Sequence, residues 1–368
     1  MRSLKKGQIK FVDLVNKSPN VKLRAAFERV LASGNFILGK EVDSFEKEFA
    51  KYLGVKYCVG VGNGLEAIQI SLMTLGIGPL DEVITTPISA VATTLAILAT
   101  GAKPTFVDTT EDGLINPDLI PQAITKKTKA ILPVYLYGNP VDLDKIPSIC
   151  KKYKLILIED AAQAHGSKFN GKFLGTFGKM GCFSFYPTKN LGAFGDGGAI
   201  VTNSLKLYQI CYETRDYGKK EKYLHTRYGL NSRLDEIQAA LLKVRLKSLD
   251  RDNKIRQHLA QRYLNNLSSL KDLKVIRPNP KAQSNFHLLV IKTKKRDQLM
   301  KHLQESGIQT LVHYPAIIPD QPFLKKEYSS LNLPVARSFV KTCLSLPCHP
   351  KMTISDVDYI SSKIINFF

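Results

Sequence analysis

Short apolar runs alternate with longer amphipathic stretches over the first two-thirds of the chain. The runs YCVGV (57–61), DEVITT (81–86) and LILIED (155–160) are typical of buried strands, whereas EAIQISLMTLG (66–76) and LDKIPSICKKYK (143–154) show helical spacing. Strands that alternate with helices of ten or more residues predict parallel β-α-β units. Because a run such as LILI is apolar at every position, we expect helices on both faces of the sheet.

The pattern changes after about Leu249. A long polar helix leads into the strand HLLVIKT (287–293) and the helix RDQLMKHLQESG (296–307). We therefore predict a large α/β domain over residues 1–250, with a mostly parallel sheet flanked by helices, and a smaller C-terminal α+β domain over residues 251–368. The N-terminal segment could also pack against the smaller domain.

The net charge narrows the possible partners. Lys and Arg number 53 against 32 Asp and Glu, which gives +21 over 368 residues. Such an excess attracts anions. The basic residues are spread along the whole chain, however, and no zinc-finger or RNA-recognition signature occurs. We therefore expect no nucleic-acid partner; a small polyanionic substrate or a lysine-rich proteome explains the charge.

The cysteines and the apolar segments concern compartment and metal binding. None of the six cysteines forms a C-x-x-C pair, and Cys343, Cys348 and His349 lack a second ligand pair, so no metal site is expected. The start of the sequence has no apolar signal-peptide core, and the weakly polar stretch 88–102 is too short to span a membrane. We expect a cytoplasmic protein with free thiols and no membrane insertion.

Candidate chemistry lies at the ends of the predicted strands, since ligands of open α/β sheets bind outside the carboxyl ends of the strands. Gly62, Asn63 and Gly64 follow the first strand and precede a helix, where N–H groups can hold an anion. Asp160 ends LILIED, and Lys189 closely follows the strand GCFSFY (181–186). Taken singly, these features also fit a plain turn, a helix cap and a surface lysine.

The order of these features favours one cofactor. Pyridoxal phosphate (PLP) needs a lysine for its Schiff base, a carboxylate for its pyridine nitrogen and donors for its phosphate. The phosphate-type turn, Asp160 and the Ser184-x4-Lys189 segment supply these groups in that order along the chain.

Several blocks carry a resemblance to a known family. FILGKEVDSFEKEFAKYLGV, IEDAAQAHGSKFNGKFLGTFG and CFSFYPTKNLGAFGDGGAIVTN follow one another, and VHYP occurs near residue 313. The sequence resembles, almost from end to end, the DegT/StrS family of PLP-dependent nucleotide-sugar aminotransferases, which have the aspartate-aminotransferase fold of type I.

The resemblance implies a role for each matching residue. Lys189 would form the Schiff base and move protons between the substrate carbon and the cofactor. Asp160 would pair with the pyridine nitrogen, and Gln163 would lie near the hydroxyl of PLP. Ser184 and the turn of Gly62, Asn63 and Gly64 would hold the phosphate. Asn231 would reach the phosphate of the neighbouring subunit, because family sites are completed across a homodimer.

The remaining correspondences concern the substrate. Five positions fall where the family lines its active site or sugar pocket, or where a lysine could contact the diphosphate: His165, Tyr186, Lys219, His313 and Tyr314. Two departures stand out. Ser89, Ala90 and Val91 occupy the segment in which many members place an aromatic residue over the PLP ring, and Leu80 replaces a turn glycine in GPLDEV.

The implied reaction moves an amino group from an amino acid, with L-glutamate expected, to a nucleotide-linked keto sugar by ping-pong kinetics. The GNGLEA turn resembles relatives that aminate the 3-position of dTDP-3-keto-6-deoxyhexoses; amination at the 4-position is the alternative. A PLP-binding regulator without turnover is the alternative from another class. A dehydrogenase is excluded because no G-x-G-x-x-G follows the first strand.

Overall fold

The computed structural model describes residues 8–14 and 20–368. Its largest sheet has seven strands in the order β1-β9-β8-β5-β4-β2-β3. These strands are β1 (Tyr57–Val61), β2 (Glu82–Thr85), β3 (Lys103–Phe106), β4 (Thr128–Leu132), β5 (Ile156–Asp160), β8 (Met180–Ser184) and β9 (Gly198–Thr202). The intervening β6 (Lys168–Phe169) and β7 (Lys172–Phe173) form a short hairpin outside this sheet.

The direction of the strands confirms the predicted fold class. The pairs β2–β3, β2–β4, β4–β5 and β5–β8 are parallel. Only β9 runs antiparallel to both of its neighbours, β1 and β8. The sheet is therefore mostly parallel, and the carboxyl ends of β1, β5 and β8 meet at one edge.

Helices cover both faces of this sheet, because successive strand residues enter two different apolar cores. Leu157 and Phe183 pack into one core, whereas the adjacent Ile158 and Cys182 pack into the other. The helices are α1 (Val21–Ser33), α2 (Lys40–Leu53), α3 (Gly64–Thr74), α4 (Ala92–Leu98), α5 (Ile120–Ala123), α6 (Ile146–Tyr153), α7 (Leu205–Thr214), α8 (Glu236–Leu246), α9 (Leu249–Asn266), α10 (Arg296–Glu305), α11 (Pro322–Lys325), α12 (Pro334–Thr342) and α13 (Ile354–Ile365).

Helix ends illustrate how local sequence fixes these elements. The first N–H groups of α2 have no acceptor within the helix. The carboxylate of Glu236 accepts hydrogen bonds from Gly39 and Val42 at 2.8 Å each and from Glu41 at 3.0 Å. The helix ends at Gly54, whose φ of 71° is the left-handed conformation that glycine adopts without strain.

A third apolar core lies among α9, α10, α13 and a three-stranded antiparallel sheet. That sheet comprises β12 (Lys274–Val275), β14 (Leu289–Lys292) and β15 (Cys343–Leu346), and the remaining strands are β10 (Lys219–Glu221), β11 (Leu224–His225) and β13 (Ala282–Gln283). Ile9 pairs with Ile308 beside this core. The division near residue 250 stays a prediction. Among the described residues, no helix combines the length and the apolar composition needed to cross a bilayer.

Candidate cofactor site

The turn between β1 and α3 is the first part of the site. The side chain of Asn63 caps α3 by accepting a hydrogen bond from Glu66 N at 2.9 Å. The first N–H groups of the helix lack intrahelical acceptors and can bind an anion. A Cβ added to Gly64 would lie 2.6 Å from the Cβ of Ser184, which ends β8. The structure thus brings the predicted phosphate turn and Ser184 into contact.

Asp160 lies at the end of β5 and is 4% exposed. One carboxylate oxygen accepts a hydrogen bond from Thr93 Oγ1 at 2.7 Å, and the other accepts from Ala162 N at 3.1 Å. Burial raises the pKa of Asp160, although these hydrogen bonds and the charge of Lys189 act in the opposite direction. A cationic ring nitrogen would stabilise this carboxylate further.

The segment without the aromatic residue lies beside this carboxylate. Ser89 is buried, and its hydroxyl lies 2.9 Å from that of Thr93, so the two hydroxyls and Asp160 form a chain. Val91 precedes α4 and is 39% exposed, and Ala90 is half-buried. None of these three side chains has an aromatic ring that could stack on the PLP ring.

Lys189 lies on a closed loop after β8. Its backbone N–H donates to Tyr186 O at 2.8 Å, and Ala193 N donates to Phe185 O at 2.6 Å. The Lys189 side chain is half-buried, and desolvation lowers its pKa to about 8 even though Asp160 acts to raise it. The loop therefore presents an amine that loses its proton near neutral pH. Tyr186, by contrast, is 53% exposed.

Gln163 connects the turn after β5 to the C-terminal part of the chain. Its side-chain oxygen accepts a hydrogen bond from Tyr137 N at 2.6 Å, so the amide nitrogen is directed to the other side, 3.3 Å from the hydroxyl of Tyr314. Burial raises the pKa of Tyr314 to about 12 and keeps this phenol protonated. Tyr314 therefore lies beside the cofactor residues predicted from the sequence.

Two of the histidines predicted to line the substrate pocket lie close enough to Lys189 for its charge to affect them, and both are kept neutral. Burial lowers the pKa of His165 to about 3 and that of His313 to about 4. His165 lies fully buried beside the rings of Phe183 and Phe185. His313 accepts or donates a hydrogen bond with Ser345 Oγ at 2.9 Å. Of the two, only His313 has any exposed surface for a substrate to contact.

Lys219 and Asn231 lie together in a different place. Both are next to Asp216: Lys219 forms an ion pair with it, and Asn231 pairs with its backbone. Asn231 is exposed, whereas the hydroxyl of the adjacent Ser232 accepts a hydrogen bond from Gly62 N at 3.0 Å. Asn231 thus precedes a residue that contacts the phosphate turn, while Asn231 itself is exposed.

Sequence reasoning missed several residues at the site. Thr93 holds Asp160, and Asn190 and His287 form a hydrogen bond next to Lys189. Position gave a partial signal for two of them. Asn190 follows the lysine directly, and His287 is one of several polar residues before the strand HLLVIKT. Nothing in the sequence indicated Thr93, which lies in an ordinary helical segment.

A groove of about 1240 Å³ contains Lys189 in its wall. Among the described residues, its lining includes nine lysine and arginine side chains and three carboxylates. Such an excess of positive charge in a concave surface raises the local concentration of anions. The groove therefore favours a polyanionic ligand near Lys189.

The donor set fits PLP. A half-buried lysine of low pKa, a buried carboxylate beside it and a helix N-terminus in contact with Ser184 supply the amine, the ring partner and the phosphate donors that this cofactor needs. Fold and site together define a PLP-dependent enzyme of the aminotransferase fold. The chain belongs to the DegT/DnrJ/EryC1/StrS aminotransferase family, whose model matches residues 19–365. It is a PLP-dependent sugar transaminase.

Individual relatives support this assignment over the full length. A dTDP-3-amino-3,4,6-trideoxy-α-D-glucose transaminase of Streptomyces venezuelae is 43% identical, over 94% of this chain and 92% of that protein. The crystal structure of S. venezuelae DesV in complex with a ketimine intermediate superposes with a TM-score of 0.95 at 41% identity, covering 98% of each chain. Bacillus subtilis NtdA with bound cofactor PMP gives 0.92 at 32% identity, covering 100% of this chain and 86% of that one.

Proposed function

We propose that this enzyme transfers the amino group of L-glutamate to the 3-keto group of a dTDP-linked 3-keto-6-deoxyhexose. The observation that carries the proposal is the proximity of Lys189 and Asp160, together with the basic groove that Lys189 lines. The named product of the S. venezuelae relative, a dTDP-3-amino sugar, supports the 3-position. The groove supports a diphosphate-linked substrate, since its excess of cations favours a polyanion.

Each residue has a role in this proposal. When bound, PLP would supply an electron sink for the pair left on the donor α-carbon after its proton is removed. Lys189 Nζ takes the proton from the donor α-carbon and later delivers it, which requires the neutral amine that its low pKa provides. Asp160 holds a proton on the ring nitrogen. Gln163 would orient the ring through its side-chain amide, and Ser184 with Gly64 would bind the phosphate.

We further propose that the functional unit is a homodimer. Asn231 is exposed although the next residue, Ser232, is hydrogen-bonded to the phosphate turn, so Asn231 is available to the cofactor of a partner subunit. The nearby hairpin of β10 and β11 and the segment that follows it expose aromatic rings, with Tyr223 84% and Tyr228 82% exposed. Large exposed aromatic side chains are typical of interfaces. A cytoplasmic location is also proposed, since six buried free thiols suit a reducing compartment.

Two half-reactions test the reaction. The holoenzyme should show an absorbance band of lysine-bound PLP near the edge of the visible range. Glutamate alone should convert the cofactor to its amino form, and this band should disappear. A dTDP-3-keto sugar should then restore the band, and initial rates should show ping-pong kinetics. Restoration by a 4-keto sugar alone would favour the alternative position. A band that glutamate leaves unchanged would support a regulator.

A mixing experiment tests the shared site. Lys189→Ala and Asn231→Ala dimers should each be impaired, whereas a dimer with one subunit of each kind contains one site with both native residues. After subunit exchange of equal amounts, random pairing should restore about a quarter of wild-type activity. Recovery of no activity, although mixed dimers form, would show that Asn231 does not act across subunits.

A further inference from the structure

A polar cluster, mostly buried, contains the residue that follows Lys189 in sequence. It consists of Asn190, Asn253, Asn285 and His287, and we call it the amide cluster. Asn190 Nδ2 donates to Asn253 Oδ1 at 2.8 Å and to Asn285 O at 3.1 Å, and its Oδ1 lies 3.0 Å from His287 Nδ1. The side chain that follows Lys189 in sequence is thus held by three partners.

Backbone carbonyls fix the polarity of every hydrogen bond in the amide cluster. Asn253 Nδ2 lies 2.9 Å from His165 O, and a carbonyl can only accept. Asn253 Oδ1 must therefore accept from Asn190 Nδ2, which agrees with the second bond of that group to Asn285 O. Asn190 Oδ1 is then an acceptor, and His287 Nδ1 must carry the proton that it receives.

The amide cluster also grips the turn that carries Gln163. Asn285 Nδ2 donates to Gln163 O and to His165 O, both at 3.0 Å. Two glycines of positive φ leave room for the amides. A Cβ on Gly138 (φ 88°) would overlap the side chain of Asn285, and one on Gly166 (φ 81°) would lie 2.5 Å from Asn253 Nδ2. Glycine at these two positions therefore leaves the space that the side chains of Asn285 and Asn253 occupy, and a larger residue at either position would collide with them.

The members of the amide cluster come from separate parts of the chain. Asn253 belongs to α9, and Asn285 and His287 lie between β13 and β14, which leads into the C-terminal antiparallel sheet. Asn190 belongs to the loop after β8. A hydrogen bond between His287 and Asn190 therefore joins the C-terminal part of the chain to the lysine loop.

We propose that His287 is a positioning residue: through its hydrogen bond to Asn190 it fixes the loop that presents Lys189 to the cofactor. The proposal rests on the proposed role of Lys189 as the cofactor lysine. His287 contacts no reacting atom in this scheme. Without the bond, the half-buried Asn190 Oδ1 loses its donor, and the loop can relax towards water.

The surroundings of His287 keep its proton on Nδ1 only. Burial lowers the pKa of His287 well below its usual value, and the nearby charges of Lys189 and Arg256 and the rings of His165 and His313 act in the same direction. The ring borders a small cavity of about 100 Å³, whose wall also contains Thr188. A second proton would place a cation next to Lys189, so the neutral ring is the form that positions the loop.

Three variants separate the hydrogen bond from simple packing. His287→Leu removes the N–H, whereas His287→Asn can place an amide N–H where Nδ1 donates. Asn190→Ala removes the acceptor from the other side. The measurements are the pH titration of the lysine-bound PLP absorbance and the dissociation constant of PLP, with circular dichroism as a check of folding. His302→Leu, which removes a histidine contact to Lys363 O, is the matched control.

For His287→Leu and Asn190→Ala we expect a shifted titration midpoint and about tenfold weaker PLP binding. His287→Asn should restore both values to near those of wild type, and His302→Leu should leave them unchanged. The double variant His287→Leu/Asn190→Ala should be no worse than Asn190→Ala alone, because Asn190→Ala already removes the bond that His287→Leu breaks. Wild-type values in His287→Leu, or equal damage in His287→Asn, would overturn the proposal. A wild-type protein that binds no PLP would instead overturn the role of Lys189 itself.

Discussion

Two lysines of the same chain lie in opposite environments. Lys189 is half-buried in the loop after β8, and desolvation lowers its pKa to about 8. Lys219 is 39% exposed in its side chain, forms an ion pair with Asp216 and lies on the β10–β11 hairpin. Around the first, polar groups are buried and hydrogen-bonded; around the second, tyrosine rings face solvent.

The difference shows how much of the site one chain can build alone. The inner region, around Lys189 and Asp160, contains the groups proposed to act on the reacting atoms, and each is held by partners of the same chain. The hairpin region comprises β10, β11 and the residues up to Tyr228. Its tyrosine rings are exposed in the single chain, which indicates that another surface covers them. The groups proposed for the chemistry thus come from one subunit. We infer that the contacts of the hairpin region come from a second subunit.

The largest effect should come from Asp160→Asn in the inner region. A neutral amide cannot hold the proton on the ring nitrogen, and preorganised electrostatic partners of this kind typically contribute about 10²–10³ in kcat. We therefore expect kcat to fall by about that factor while PLP still binds. Steady-state kinetics with saturating PLP will measure it.

Asp118→Asn is the control for this substitution, because Asp118 is exposed and pairs only with Lys145 among the described residues. It should leave kcat unchanged. An Asp160→Asn enzyme with kcat within a few-fold of wild type would show that the buried carboxylate is structural.

The low pKa of Lys189 should also appear as a stability effect in the protein without cofactor. The pKa is about 8 in the folded state, against about 10.4 in an unfolded chain. Between these values the unfolded chain holds the proton and the folded chain does not, so raising the pH favours folding. Relative to Lys189→Met, wild type should gain up to roughly 3 kcal/mol in unfolding free energy from pH 8 to 10.5.

Urea unfolding at several pH values gives this difference, and other titrating groups cancel between the two proteins. Lys219→Met is the matched control for a lysine in the hairpin region. Parallel stability curves for wild type and Lys189→Met across this range would contradict the desolvated environment of Lys189.

Tyr228→Ser tests the hairpin region. Tyr228 is 82% exposed, so its loss should change the unfolding free energy of the subunit by no more than about 0.5 kcal/mol. An aromatic anchor at an interface typically contributes about 2 kcal/mol to binding, which would weaken the dimer roughly 30-fold. Sedimentation equilibrium at several concentrations measures both the assembly and its loss. An unchanged dimer would place the interface elsewhere.

The strand ends around the inner region could be predicted from the sequence, whereas the roles of the residues at those ends stay predictions. Apolar runs locate the strands, and parallel strands place Asp160 and Ser184 at one edge. The direction of β9 was not predictable, because GAIVT is equally apolar in either orientation. The role of Thr93 was not predictable either, because the sequence of a helix does not show which distant residue a threonine hydroxyl contacts.

Contacts between distant segments were the other gap. Asn285 and His287 meet Asn190 across about a hundred residues of sequence, and only the packing of α9 and β14 against the lysine loop brings them together. The hairpin poses the reverse problem. Its residues are placed by local turns, but the function proposed for them depends on the surface of a second subunit.

Leu80 shows that exposure of an apolar side chain does not by itself indicate an interface. It is as exposed as Tyr228, at 82%, but it lies on the turn between α3 and β2 with a φ of 73°. A left-handed leucine costs about 1 kcal/mol or more, which glycine avoids at a smaller loss of chain entropy. Leu80→Gly should therefore raise the unfolding free energy by about 0.5–1 kcal/mol, measured by urea unfolding, and leave the dimer intact in sedimentation. A weakened dimer would mean that this turn, and not only the hairpin, belongs to the subunit contact.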